Sequence, residues 1–243
     1  MNPIALELRY VFQRISNRIS LTTRPEQNTW TPKWVELPPG ERFLVVAPHP
    51  DDEAIGPGGI ILKLRQAGRS VRILFISVPG TATSGKEVRK QELLSSLKAM
   101  RVDDYKVNEE EFPIKDEVTA IISREIAEFD PDVVLLPSYL ENNSEHLQTF
   151  YGGLESIRRH PKELMAMLYE VWTPLLPNMV VDITPLIDQK AEAVGAYVSQ
   201  LQDLNFIAAF KGLNQFRATI CGRKGFAEAF LFLNRTDLLK LFP

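Results

Sequence analysis

The chain has 243 residues, of which 44% are hydrophobic and 24% charged, and its formal net charge is −3, values that are ordinary for a globular protein. The charge balance and the absence of a basic run argue against a nucleic-acid partner, and no stretch approaches the roughly 20 apolar residues of a membrane span. The single cysteine, Cys221, excludes an internal disulfide and a cysteine-based zinc knuckle and favours a reducing, cytoplasmic location.

Residues 1–20 are predicted to form an amphipathic helix, since their apolar side chains recur at helical spacing and three arginines occupy the other face. The preferred interpretation is a helix that packs on the domain or on a second copy in a homo-oligomer. The alternative is peripheral contact with a membrane, where the basic face would meet anionic lipid. The segment lacks the continuous apolar centre of a secretory signal, so we do not expect export.

Residues 21–40 are rich in proline and polar side chains and are predicted to be an irregular connector. We therefore divide the chain into an N-terminal helix and connector, residues 1–40, and one domain, residues 41–243. Within that domain apolar strands alternate with amphipathic helices, which is typical of a mainly parallel sheet covered on both faces. The predicted strands are 42–47, 70–78, 132–137, 170–172, 180–183 and 229–233, and the predicted helices are 59–67, 87–100, 116–129, 154–168, 185–202, 204–217 and a short C-terminal piece.

The stretch PHPDDE, residues 48–53, directly follows the first strand of the domain. Three adjacent carboxylates repel one another, and a bound cation is the simplest reason for them to be together. A second polar loop, residues 138–150, follows the strand 132–137. Because ligands bind at the carboxyl ends of parallel strands, His49 and His146 are expected to converge on one ion from these two loops.

Catalytic zinc typically takes three protein ligands. His49 and Asp52, three residues apart, fall on one side of a beginning helical turn, and His146 completes the set. Asp51 is left free to handle protons, and Glu53 suits the N-terminus of a helix as a structural residue. Two imidazoles and a carboxylate also suit other divalent ions, Fe²⁺ among them.

These residues resemble a known family. PHPDDE is similar to the (A/P)HPDDE signature of the PIG-L/LmbE-type zinc-dependent N-deacetylases, which remove acetyl groups from N-acetylglucosaminyl compounds. Weaker similarities follow in the family's order over roughly residues 41–233. They are R-x-x-E at 89–92, NSEH at 143–146, the strand, DIT turn and K-x-x-A helix ending in SQ within 170–200, and GFAEAF at 225–230.

The resemblance implies a Rossmann-like three-layer α/β sandwich with a mainly parallel sheet. It implies His49, Asp52 and His146 as zinc ligands, Asp51 as the general base, and Arg89 near the sugar hydroxyls of the substrate.

Three residues depart from the family's pattern. Asn143 stands where the family often has a histidine that stabilises the tetrahedral oxyanion. Glu145 replaces an aspartate or asparagine that is expected to orient its neighbours from outside the ligand set. Tyr197 stands where a histidine is common. These changes bear on substrate class and rate rather than on the metal.

The expected function is metal-dependent removal of an acetyl group from an N-acetylglucosamine-type small molecule or glycoconjugate. One alternative is hydrolysis of another small amide, such as a thiol conjugate or an antibiotic intermediate. The other is a catalytically weakened module that binds zinc and sugar.

Overall fold

The structure is a computed structural model that describes residues 32–79, 85–109, 111–202 and 204–243. Within it, Pro32–Pro243 form one unit, and the domain boundary expected between residues 40 and 41 stays a prediction. The amphipathic helix predicted at residues 1–20 lies outside the described residues, and its contact with a membrane or a second copy stays a prediction. Over the described ranges, no helix is both long and apolar enough to cross a bilayer.

One eight-stranded sheet organises the described chain. Its strands run in the spatial order β1-β7-β8-β6-β5-β2-β3-β4. Only β8 is antiparallel to its neighbours β6 and β7, whereas every other pair is parallel. The mainly parallel sheet is thus confirmed. The strands are β1 (Lys33–Val35), β2 (Arg42–Ala47), β3 (Ser70–Phe75), β4 (Asp104–Val107), β5 (Val133–Pro137), β6 (Met165–Tyr169), β7 (Met179–Asp182) and β8 (Ala227–Asn234).

Helices cover both faces of this sheet, which confirms the three-layer sandwich. The helices are α1 (Asp52–Ile55), α2 (Gly58–Gln66), α3 (Lys86–Met100), α4 (Lys115–Phe129), α5 (Ser144–Arg159), α6 (Ile187–Gly195), α7 (Phe206–Ile220) and α8 (Arg235–Leu241), with a 3₁₀ turn at Thr184–Leu186. Helices α1, α2, α3, α6 and α7 contribute to the core on one face, and α4, α5 and α8 to the core on the other.

The central strands explain the continuous apolar runs of the sequence. In β2, Phe43 and Val45 face one core, whereas Leu44 and Val46 face the other. A strand buried on both faces has no polar side to show, which is why its sequence does not alternate. The strand predicted at 42–47 coincides with β2, and the helices predicted at 59–67, 87–100 and 116–129 begin within one residue of α2, α3 and α4.

The prediction for residues 144–172 was wrong except at 154–159, which are helical as expected. Helix α5 begins at Ser144 rather than at residue 154, because the Asn143 side chain caps it by accepting two backbone N–H groups. The end of the predicted helix is strand β6, and the strand expected at 170–172 is a loop. Met, Ala and Leu favour helices, but pairing with β5 and β8 on either side overrides that preference in β6.

Several other strands and helices also differ from the prediction in their presence or in where they end. Strand β1 lies within the segment expected to be an irregular connector, where only three residues between prolines pair with β7. Strand β4, DYKV, was not predicted because it is a short edge strand with half its side chains exposed. The helix predicted at 185–202 ends at Gly195, and β3 ends at Phe75 rather than at Val78.

The order of the strands reverses between β2 and β5. From β2 the chain passes through β3 to the edge strand β4, and then returns through α4 to β5 on the other side of β2. The segments that leave β2 and β5 therefore diverge and border a crevice at the carboxyl edge of the sheet, where open α/β sheets bind their ligands. Both polar segments singled out in the sequence begin at this crevice.

Candidate active site

The segment after β2 turns tightly around the Asp52 carboxylate. The His49 N–H donates to Asp52 Oδ2 at 2.9 Å, and the Asp52 N–H donates to the His49 carbonyl at 3.4 Å. Between them, Asp51 has a φ of 114°, a left-handed conformation that side-chain-bearing residues rarely adopt. Such strained residues persist where the surroundings hold them, and they cluster at functional sites.

The second histidine lies on the first turn of α5, not in a loop as expected. His146 Nε2 is 3.3 Å from Asp52 Oδ2, and His49 Nδ1 is 3.4 Å from the same oxygen. One potential ligand atom from each of the three residues lies within 4.8 Å of the other two. The structure therefore brings the three predicted metal ligands together.

The charges at this cluster suit a cation. Burial alone would raise the pKa of Asp52, but the imidazoles of His146 and His49 hold it well below its ordinary value. Burial likewise opposes charge on His146, yet the carboxylates of Asp52 and Glu141 outweigh it and raise the pKa of His146 to about 10. The buried carboxylates of Asp52 and Glu141 thus stabilise a positive charge next to them. Two imidazoles and a carboxylate are a donor set that divalent metals accept, so the residues fit a metal ion.

A buried carboxylate that the sequence analysis missed supports His146. Glu141 Oε2 lies 3.4 Å from His146 Nδ1, while Glu141 Oε1 accepts the backbone N–H groups of Val171, Trp172 and Thr173 at 3.0, 3.2 and 3.4 Å. A carboxylate behind a metal-binding imidazole fixes the orientation of the ring. No motif marks Glu141, because the amides that hold it are about thirty residues further along the chain.

Two further predicted residues contact the histidines or their backbone. Glu145 Oε2 lies 2.5 Å from His49 Nε2. The Asn143 side-chain oxygen accepts the N–H groups of Glu145 at 2.8 Å and His146 at 3.4 Å, so the observed contact of Asn143 is a helix cap. Because the amide oxygen faces the helix, the amide nitrogen is the atom that would donate to an oxyanion. That role stays a prediction.

The Arg89 side chain is buried against the turn that follows β2. Its side chain is 3% exposed, its Nη2 donates to the Pro50 carbonyl at 2.6 Å, and its Nη1 is 3.7 Å from Asp51 Oδ2. Burial and the neighbouring Asp52 raise the pKa of Asp51, whereas Arg89 lowers it. Arg89 therefore holds the turn and its aspartate, and its predicted contact with sugar hydroxyls stays a prediction.

Glu53 was expected to be structural, and the structure shows how. Its fully buried carboxylate accepts hydrogen bonds from the Tyr197 hydroxyl at 2.6 Å, the Ser96 hydroxyl at 3.0 Å and the Asp51 N–H at 2.9 Å. Burial raises the pKa of Glu53 to about 7. This cluster joins the turn to α3 and to the segment after α6, and it accounts for the tyrosine at position 197.

The weaker motifs pair with one another. Glu92 of the R-x-x-E segment accepts hydrogen bonds from the Ser199 N–H at 2.6 Å and its hydroxyl at 2.7 Å. Lys190 of the K-x-x-A helix lies 2.6 Å from Glu228 of the GFAEAF segment. These similarities therefore correspond to contacts between distant parts of the chain.

Part of the chain matches a known protein family. The sequence profile of the PIG-L family, described as GlcNAc-PI de-N-acetylase, matches residues 44–157. That range contains the turn after β2 and the first turn of α5, which hold the three candidate ligands. The similarity to the PIG-L family thus covers the segments that carry the candidate ligands, in just under half of the chain.

Individual proteins are similar to a longer part of the chain. The chain is 26% identical to the diacetylchitobiose deacetylase of Thermococcus kodakarensis, over 67% of this chain and 71% of that protein. It is 28% identical to a probable N-acetyl-alpha-D-glucosaminyl L-malate deacetylase 2 of Bacillus cereus, over 65% of this chain and 83% of that protein. The crystal structure of the conserved protein TT1542 from Thermus thermophilus matches with a TM-score of 0.68 at 25% identity, covering 78% of this chain and 93% of that one.

Proposed function

We propose that this protein is a metal-dependent N-deacetylase that hydrolyses the acetamido group of an N-acetylglucosamine-type small molecule or glycoconjugate. The observation that carries the proposal is the convergence of His49, Asp52 and His146, with Asp51 next to them, in the crevice between β2 and β5. The choice of an acetylated amino sugar is supported by the description of the family and by the names of both curated relatives.

His49, Asp52 and His146 would hold the metal ion. Zinc commonly takes three such ligands in catalytic sites, and Fe²⁺ is the alternative for the same donor set. When bound, a divalent cation polarises the amide carbonyl and lowers the pKa of a water molecule.

The protein's own side chains handle the proton and the developing charge. Asp51 accepts the proton of the attacking water and passes it to the amine nitrogen as the C–N bond breaks, leaving acetate and a free amine. Arg89 keeps the Asp51 carboxylate in place. The Asn143 amide donates to the carbonyl oxygen as negative charge develops there. Glu145 holds the His49 ring from outside the ligand set.

The test is release of primary amine and acetate from a panel that includes N-acetylglucosamine and N,N′-diacetylchitobiose, with zinc supplied. Asp51→Asn keeps the shape of the side chain but cannot accept the proton, so kcat should fall by about 10²–10⁴ while the metal content is unchanged. Asp188→Asn, which alters an exposed carboxylate paired with Lys211, is the matched control and should keep the wild-type rate.

Three other results would contradict the role of Asp51, the substrate class or the catalytic activity. An Asp51→Asn protein that hydrolyses at the wild-type rate would remove Asp51 as the general base. Amine release from a non-sugar amide only would favour the hydrolase of another small amide. Bound metal and saturable sugar binding without any amine release would favour the weakened binding module.

A further inference from the structure

A cavity of about 230 Å³ lies beside the candidate active site, between α7 and the carboxyl end of β6. Most of its wall is aromatic or aliphatic. Its apolar lining includes Ile55, Trp172, Phe206, Phe210, Leu213 and Phe230. We call it the Trp172 pocket.

The charged groups of the Trp172 pocket are already paired within the protein. Glu170 forms an ion pair with Arg217, which also donates to the Leu175 carbonyl at 2.8 Å. Glu228 lies 2.6 Å from the Lys190 ammonium and accepts the N–H groups of Gly59 and Ile60. A charged ligand would therefore find no counter-charge among these groups, whereas an uncharged apolar group would lose no interaction on entering.

The mouth of the pocket exposes a large aromatic ring. The Trp172 side chain is 46% exposed. The centroids of its ring and of the Phe206 ring are 5.3 Å apart, with an interplanar angle of 72°. The Trp172 backbone N–H is held by Glu141, so the residue is anchored through its main chain while the ring borders the cavity. Exposed aromatic surface next to an apolar cavity is typical of a ligand site.

We propose that the Trp172 pocket binds an uncharged alkyl or aryl group. An apolar cavity of about 150 Å³ stays dry and binds benzene, so a cavity of about 230 Å³ has room for a somewhat larger group. The group is either an apolar part of the substrate or a separate apolar molecule.

Two of the segments that line the pocket also position residues of the candidate active site. Ile55 ends α1, the short helix that begins with the candidate ligand Asp52. The loop after β6 donates three N–H groups to Glu141, which lies 3.4 Å from His146. A group bound in the pocket therefore touches two of the segments that position the metal ligands.

The first test uses the full-length protein and the alcohols n-butanol, n-hexanol and n-octanol, with binding measured by calorimetry. Each added methylene should tighten Kd about fourfold until the pocket is filled. Ala209 lines the pocket from an exposed position on α7, so Ala209→Trp should fill the pocket and weaken octanol binding tenfold or more. Ala208→Trp, at the next exposed position and outside the lining, is the control and should bind as the wild type does.

A Kd that ignores chain length, or that is equal in the Ala208→Trp and Ala209→Trp variants, would overturn the proposal. Thermal unfolding of both variants checks that each is folded. This measurement needs no catalysis, so it stands or falls separately from the proposed deacetylation.

A second arm, which rests on the proposed function, identifies the source of the group. It compares KM for alkyl glycosides of N-acetylglucosamine with increasing chain length. If the pocket takes part of the substrate, KM falls with chain length in the wild type and stays level in Ala209→Trp. If the ligand is a separate molecule, KM is level in both proteins while the alcohols still bind the wild type.

Discussion

The three carboxylates at positions 51–53 lie in three different environments. Asp52 lies within 3.4 Å of an imidazole nitrogen from each of two histidines. Glu53 points into a buried cluster with the hydroxyls of Tyr197 and Ser96. Asp51, held at a positive φ, lies 3.7 Å from the Arg89 guanidinium. Each acid therefore has its own compensating partners, which is how a fold accommodates three adjacent negative charges.

The Glu141→Gln variant tests how the ligand set is supported. Gln keeps the size of the side chain but removes the negative charge that faces His146 Nδ1 at 3.4 Å. Loss of such a partner typically weakens metal affinity by about 10–100-fold. The zinc Kd of the variant, measured by competition with a chelator, should rise by that factor.

Glu163→Gln provides the control for this change. Glu163 is 71% exposed, and its carboxylate is 3.9 Å from Arg235, so the same chemical change there should leave the zinc Kd unaltered. Equal zinc affinity in Glu141→Gln and the wild type would show that Glu141 does not support the ligand.

The position of helix α5 depends on two adjacent glycines. A Cβ on Gly152 would lie 2.7 Å from Val118 of α4, and one on Gly153 would overlap the Leu136 side chain of β5. Helix α5 is thus packed closely against both α4 and the sheet. Because the first turn of α5 carries His146, this packing also fixes the distance of that candidate ligand from the carboxyl ends of the strands.

The Gly153→Ala variant should therefore be destabilised. Overpacking a filled core typically costs about 1–3 kcal/mol, and the contacted atoms belong to a fully buried leucine with little room to move. The free energy of unfolding, from urea denaturation, should fall by that amount.

Gly212→Ala is the matched comparison, because a Cβ there, in the middle of α7, would have no atom within 4 Å apart from its chain neighbours and the backbone of its own helix. There the methyl group restricts only the unfolded chain and favours the helix, so stability should rise by about 0.5–1 kcal/mol. A gain of stability of the same size in both variants would show that helix propensity, and not close packing, governs Gly153.

One buried lysine connects elements that are far apart in the chain. The fully buried Lys190 of α6 donates to the Gly56 carbonyl at 2.9 Å, to Asn214 of α7 at 3.3 Å and to Glu228 of β8 at 2.6 Å. Glu228 in turn accepts the N–H of Gly59 at the start of α2. The ion pair therefore joins the helical layer to the antiparallel strand behind the crevice.

The Lys190→Met variant should lose stability throughout the domain. Met matches the length of the aliphatic stem but leaves the Glu228 carboxylate buried without its cation, which typically costs about 3–5 kcal/mol. Urea denaturation should show a lower midpoint in a single transition.

Lys211→Met is the control, since Lys211 pairs with the 92% exposed Asp188, and surface pairs contribute about 0–1 kcal/mol. If Lys190→Met changed stability as little as Lys211→Met, the buried pair would contribute nothing beyond packing.

Many of the strands and helices could be predicted from the local sequence. The strands 42–47 and 132–137 and the helices between them were predictable because apolar runs and helical periodicity are local properties. The proximity of His49, Asp52 and His146 was predictable for a related reason, since the segments that carry them follow two strands that the pattern identifies. That these residues bind a metal stays a prediction. By contrast, β6 was mistaken for a helix because its residues favour helices until neighbouring strands pair with them.

Local patterns in the sequence are enough to predict the alternation of strands and helices, and with it the mainly parallel sheet and the edge at which the motifs meet. The folded structure was needed to show that Glu141 lies beside His146, that Arg89 lies beside Asp51, and that the carboxyl end of β6 borders an apolar pocket. This difference follows from distance along the chain, because periodicity is encoded within a few residues. A contact such as that of Glu141 with the loop after β6, thirty residues away, exists only once the strands between them have paired.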